Sequence, residues 1–202
     1  AITSTFTQGN LTHVENPFSV ALEGDGFFQI RTESGELQYT RDGSFEISPV
    51  ANGNMLCTSD GNPVLDAYGN QIILPSNRVA TDLVVNQDGT LAFPDGTGNP
   101  AVITDANGRP VKFGIYQFNN PAGLSKEGSN NYSVTVASGA AVAENGNAAV
   151  KQTKTHQYYT EASNVDVANE MVNLIVAQRA YEMNSKAIQA SDEMMQQANA
   201  LR

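Results

Sequence analysis

The feature that most constrains this chain is the stretch from Ser163 to Leu201, the only long helical pattern present, because its apolar residues do not fit one face. Val167, Leu174, Tyr181, Ile188 and Met195 recur every seven residues, the spacing of a coiled-coil seam. A second series, Val176, Ala180, Met183, Ala187, Ala190 and Met194, steps by four and three and falls roughly opposite the first at about 100° per residue. A helix of ~38 residues would run ~57 Å, longer than a small domain is wide. A helix apolar on opposite sides is normally buried among other elements. Nothing else in the chain reads as a helix able to cover it, so its expected partners are other chains or a segment outside this sequence. The competing reading folds the helix back on its own domain, but a single β-layer covers one seam and hardly both.

Ser163 or Asn164 can cap this helix, with Asp166 as a capping-box-like partner, and Asp166 and Glu170 suit its positive end. Arg179, Glu182 and Lys186 form either a surface i to i+4 pair or a partner-selecting contact in a bundle. Asn169, Asn173 and Gln178, near the seams, can fix register. The candidate subunit-packing residues are Val167, Met171, Leu174, Val176, Gln178, Arg179, Tyr181, Met183 and Ile188.

Upstream the pattern changes to short β-prone runs. Residues 1–16, with Ile2, Phe6, Leu11 and Val14 spaced among polar residues, read as an extended connector. Phe18 to Leu22 and Phe27 to Arg31 flank Gly24-Asp25-Gly26 and predict two strands around a tight turn. Ser34-Gly35, Asp42-Gly43, Asn52-Gly53, Asp60-Gly61, Gly69-Asn70, Asp88-Gly89, Asp95-Gly96 and Asn107-Gly108 then punctuate the chain, the turn chemistry of an all-β domain of hairpins. Their irregular intervals rule out a calcium-binding nonapeptide repeat.

Strands are expected at Leu37 to Thr40, Ser44 to Ile47, Gln71 to Leu74, Leu83 to Asn86, Thr90 to Phe93, Ala101 to Thr104, Val111 to Phe118 and Tyr132 to Val136. Asn119 to Gly128 reads as a loop with one helical turn at Ala122 to Ser125, and Ser138 to Ala149 as a long, weakly structured loop. The fold class is therefore mainly β with a long C-terminal α-helix: a hairpin-rich domain over 17–150, a joint over 151–162 and a coiled-coil-type helix over 163–202.

Composition removes several functions. A net charge of -10 and a pI near 4.5 argue against binding nucleic acid or an anionic membrane, which needs clustered Lys and Arg. Cys57, the lone cysteine, excludes an internal disulfide framework and a Cys-based zinc site, and its setting is that of a small buried hydrophobe. No run approaches the ~20 apolar residues of a membrane span, and no signal-peptide pattern opens the chain. The start at Ala1, without Met, reads as a cut from something longer. No nucleophile elbow, Walker loop or zincin motif occurs, and His13 and His156 suit a surface or interface rather than catalysis. No catalytic, cofactor or metal residue is nominated.

Several stretches resemble the bacterial flagellar rod and hook proteins. They are Thr7 to Leu11, Ala21 to Phe28, Tyr39 to Phe45, Asn120 to Leu124 with Gly128, Asn130 and Tyr132, and then Ser163 to Asp166, Glu170 to Asn173, Gln178 to Glu182 and Asn184 to Ile188. Ser19 and Asn131 depart from the family's pattern. The Gln178 to Glu182 and Asn184 to Ile188 stretches are more similar to distal than to proximal rod members, and the chain is too short for the outer domains of a typical hook subunit.

The resemblance implies an N-terminal helix preceding Ala1, packed with the C-terminal helix in an inner tube, and a β-rich outer wall. It implies a polymerising, non-enzymatic structural subunit of the drive shaft that transmits torque from motor to hook. Its partners would be copies of itself and other flagellar rod and hook proteins, with no small-molecule substrate, cofactor or nucleic acid. Its place would be the basal body in the cell envelope, reached by type III export without a cleaved signal. A different class also fits the residues: a secreted β-rich glycan- or peptidoglycan-binding module with the helix as an oligomerisation handle.

Overall fold

The computed structural model describes residues 5–95, 100–147 and 149–200, with Ala198 and Ala200 described by backbone alone. Ala1, Ile2, Gly96, Ala148 and Leu201, which figure in the sequence reading, lie outside the described residues. The chain divides into two units, Ala1–Ser163 and Asn164–Arg202.

The first unit is made of short strands. They begin with β1 (Leu11–His13), β2 (Val20–Glu23), β3 (Phe27–Arg31), β4 (Leu37–Thr40), β5 (Glu46–Val50), β6 (Gly53–Cys57), β7 (Ile73–Leu74) and β8 (Val84–Val85). They continue with β9 (Leu91–Pro94), β10 (Pro100–Val102), β11 (Ile115–Gln117), β12 (Ser125–Gly128), β13 (Asn131–Ser133), β14 (Val142–Ala143), β15 (Lys154–Gln157) and β16 (Tyr159–Glu161). The largest sheet has the order β12-β13-β4-β3-β11-β14; β5-β6-β7 and β10-β9-β8 form smaller sheets, and β1-β16 and β2-β15 form ribbons.

β3 is the spine of this unit because both its faces are buried. Phe28 and Ile30 enter the main core with Leu22, Phe45, Leu56, Val64, Leu74, Leu91 and Phe113. Phe27 points the other way, into a second core with Tyr39, Phe118 and Leu124. The run Phe27-Phe28-Gln29-Ile30 therefore lacks the polar alternation of a strand with one wet face. Phe28 packs edge-on against Phe45 and Phe113, with ring centroids 5.0 and 5.2 Å away.

Five turns repeat one geometry, at residues 32–36, 58–62, 66–70, 86–90 and 105–109. In each, the first residue's N–H donates to the fifth carbonyl, and the fourth residue's N–H donates to the first carbonyl. The fourth residue is always glycine, with φ between 75° and 87°, where a Cβ would be strained; this is a three-residue loop ending in a glycine bulge. The first side chain completes it in four of the turns. Asp66 Oδ1 accepts from the Tyr68 and Asn70 amides, Asp105 Oδ1 from those of Asn107 and Arg109, and Thr32 and Thr58 Oγ1 from those of Glu36 and Asn62. These carboxylates and hydroxyls are thus accounted for by turn chemistry.

Gly43 is required for a different reason. A Cβ there would lie 1.8 Å from the Val20 carbonyl oxygen, and Val20 is buried in the main core. Gly43→Ala is expected to cost about 2 kcal/mol through the forced backbone shift, measurable as a lowered urea midpoint with an unchanged m-value.

The structure departs from the sequence reading in several places. β2 and β3 flank Gly24-Asp25-Gly26 but are not a hairpin: β2 pairs with β15, and β3 with β4 and β11. The polar groups of that bend are taken by other segments, since Arg41 Nη1 donates to both glycine carbonyls and the Gly26 N–H donates to Thr153 Oγ1. The helical turn expected at Ala122 to Ser125 is a 3-10 turn at Pro121–Gly123, and strand β12 follows it. The expected long loop at Ser138 to Ala149 carries β14 and the buried residues Ser138 and Glu144. β6 was not anticipated as a strand; within it Cys57 is buried and its Sγ donates to the Glu46 carbonyl.

The second unit is one helix, α1 (Val167–Ala200), of 34 residues. It starts later than Ser163 because Asp166 takes the cap: its carbonyl accepts from the Glu170 N–H and its Oδ1 from the Ala168 N–H at 3.0 Å. The carbonyl bond is the first of the regular helix, and the side-chain bond satisfies one of the donors a helix start leaves open.

Candidate subunit-packing helix and its anchorage

All nine candidate packing residues lie on α1 and all are exposed. Exposure of the large apolar side chains of both series runs from 58% at Met195 to 77% at Tyr181. Val172 and Ile175, outside either series, are also exposed at 58% and 50%. At about 100° per residue, Val172 falls on the second flank, whereas Ile175 lies between the flanks, on the side of Arg179 and Lys186. The unit holds no second element among the described residues, so neither flank is buried within it.

The two strips between the flanks differ. Arg179, Glu182, Lys186 and Glu193 share one strip, and Asn173, Ala177, Asn184 and Ser191 the other. Among the described residues no ion pair joins Arg179, Glu182 and Lys186, whose side chains remain available to a neighbouring surface. α1 therefore presents two apolar flanks, a charged strip and a strip of amides and small residues. Such a surface has no single buried face of the kind a helix lying on one layer shows.

The residues leading to the helix are woven into the β unit. Gln157 Nε2 donates to the Pro17 and Leu83 carbonyls, both at 2.7 Å, while its Oε1 accepts from the Val85 N–H. Thr153 donates from its hydroxyl and its N–H to the two oxygens of buried Glu144, at 2.6 and 2.7 Å. Tyr158, at φ 65°, turns the chain from β15 into β16. Its stacking on His13, and the contact of His13 with Tyr159, make both tyrosines part of a small aromatic cluster. His156 Nε2 lies 2.7 Å from Glu23 Oε2, and that hydrogen bond holds the Glu23 carboxyl below the usual carboxylate range.

At the root of the helix, Arg41 and Glu161 form a charged node. Arg41 Nε donates to Glu161 Oε2 at 2.9 Å, and Glu161 Oε1 accepts from the Gly9 N–H. Arg41 Nη2 also lies 2.9 Å from Glu161 Oε2 but is not aligned for a hydrogen bond, so its contribution is that of charge alone. The Ala162 N–H donates to the Asn10 carbonyl. Sequence reasoning missed this node because its partners are 120 residues apart; the available signal was an arginine flanked by Thr40 and Asp42-Gly43 inside a motif with family resemblance.

The fold and the helix surface together define a hairpin-rich β protein with a firmly seated root and an uncovered, two-flanked C-terminal helix. Two family models match. One, described as flagellar hook protein FlgE/F/G D1 domain, covers residues 21–93, and the other, flagellar basal body rod FlgEFG protein C-terminal, covers 156–201. The flagellar basal-body rod protein FlgG of Buchnera aphidicola is 37% identical over 96% of this chain and 69% of its own length. FlgG of Borreliella burgdorferi is 39% identical over 98% and 69%. The flagellar hook-basal body complex protein FlhP of Bacillus subtilis is 34% identical over 96% and 69%. The chain belongs to the flagellar basal-body rod protein family, as a structural rod protein of the flagellum.

Proposed function

We propose that this rod protein works by polymerising. Helices of neighbouring copies, and of other rod and hook proteins, pack along both flanks of α1 and build the distal part of the shaft that carries torque from motor to hook. Residues 17–150 form the outer wall, 151–162 the joint, 163–202 the inner helix and 1–16 a connector. The role is non-enzymatic, needs no cofactor and is exercised in the cell envelope after type III export without a cleaved signal.

The observation that supports this reading is that the apolar side chains of both flanks stand more than half exposed. Val167, Met171, Leu174, Tyr181 and Ile188 supply one contact, Val176 and Met183 the other, and Gln178 and Arg179 select register and partner. Each large apolar side chain buried between subunits contributes about 1.5–3 kcal/mol, so several per helix offset the cost of ordering it. Contacts of this head-to-tail kind give open helical assemblies.

Removal of residues 164–202 tests the proposal. Cells producing only the shortened chain are expected to contain the folded β unit, no completed rod by electron microscopy of isolated basal bodies, and no swarming. The full chain supplied in trans restores both. Completed rods built from the shortened chain would overturn the reading.

A further inference from the structure

One motif finds no use in the helix: Asn120-Pro121-Ala122-Gly123-Leu124. In the structure it is the seat of a single exposed turn. The Asn120 N–H donates to the Ser138 carbonyl, and Asn120 Nδ2 donates to the Ala137 carbonyl at 3.0 Å. The Thr135 hydroxyl donates to the Gly123 carbonyl. Gly123 must be glycine here, since a Cβ would lie 2.6 Å from the Ala137 carbonyl carbon. The turn is closed from within as well. Thr135 Oγ1 accepts from the Ala137 and Ser138 amides, and Ser138 Oγ accepts from the Thr135 N–H.

Ser138 is fully buried while Val136, two residues earlier, is exposed at 103% and Val134 at 42%. An aliphatic side chain is thus held out from a fixed backbone, where docking it costs little ordering entropy. The charge pattern selects its partner. Residues 128–143 contain no charged side chain, and between Phe113 and Ala143 only Lys126 and Glu127 are charged, in a chain of net charge -10. Two such acidic molecules repel over most of their surfaces and approach most easily where charge is absent. A basic partner would be drawn elsewhere.

We propose that the turn bearing Val136 is a lateral contact between β units, its occupant the β unit of a second copy of this chain in the rod. This rests on the polymerisation reading above but concerns a surface separate from α1.

Val136→Cys tests it, because the native Cys57 is buried and burial pushes its thiol up, leaving the new thiol as the reactive one. Maleimide labelling of the free subunit is expected to be fast, and labelling in rods isolated from motile cells at least tenfold slower. Rods in which the thiol reacts within twofold of the free rate overturn the contact and leave the polymerisation reading standing. Should the cysteine variant fold but fail to enter rods, Val136→Ile and Val136→Asp decide. Incorporation of the isoleucine variant with at least a tenfold loss for the aspartate supports the contact, and equal incorporation of both overturns it. Failure of the unaltered chain to form rods would instead count against polymerisation itself.

Discussion

Leu174→Asp is expected to abolish rod completion and swarming while leaving the urea midpoint of the β unit where it was. Leu174 sits in the middle of the first flank, 60% exposed in the free chain. The substitution loses about 2 kcal/mol of apolar burial and places an unpaired carboxylate in a packed seam, at a further cost of several kcal/mol. Since ~1.4 kcal/mol is a factor of ten in an equilibrium constant, incorporation should fall by about a thousandfold or more. Leu174→Met, which keeps volume and polarity, should assemble. Ala168→Asp carries the same charge but lies on the strip shared by Arg179 and Lys186, and should assemble as well. Normal rods from Leu174→Asp, or equal defects in all three, would sink the assignment of that flank.

What could be read from the residues depended on how far the responsible contacts reach. The helix was legible because its pattern repeats every few residues, and only its cap shifted, to Asp166, whose side chain bonds two residues along. β4 was found residue for residue because Gly35 and Asp42 bracket it. β12 and β13 were harder, since their connecting turn places Ser129 and Asn130, not glycine, at positive φ. Partnership was out of reach altogether. Nothing local in Val20 to Glu23 says that its neighbour is β15, more than a hundred residues on, and nothing local ties Arg41 to Glu161. The exposed flanks of α1 were expected from sequence, whereas the rigid turn under Val136 was visible only once Gly123 and Ser138 were seen in contact.

Arg41→Ala is the second large effect expected, and of a different kind. Arg41 and Glu161 are mostly buried, with side-chain exposures of 16% and 11%. Removing the guanidinium leaves the carboxylate uncompensated and frees the carbonyls of Gly24 and Gly26, at a cost on the order of 3 kcal/mol. Arg41→Lys should recover little of this, because an ammonium cannot reproduce the fork that meets Glu161 and two carbonyls together. Glu161→Gln keeps one carbonyl oxygen, for either Arg41 or Gly9, and turns its NH2 toward the other donor, so it should still lose roughly half as much. Hydrogen exchange locates the damage: the Gly9 and Ala162 amides should lose protection, while Phe28 and Leu56 in the main core keep theirs. Since α1 is untouched, rods should still form, and swarming should drop because force carried by the helix enters the β unit through a loosened root. Unchanged protection at Ala162 in Arg41→Ala would mean that Glu161 is held by the β1–β16 pairing alone. A double-mutant cycle with Glu161→Gln measures the share that belongs to the ion pair.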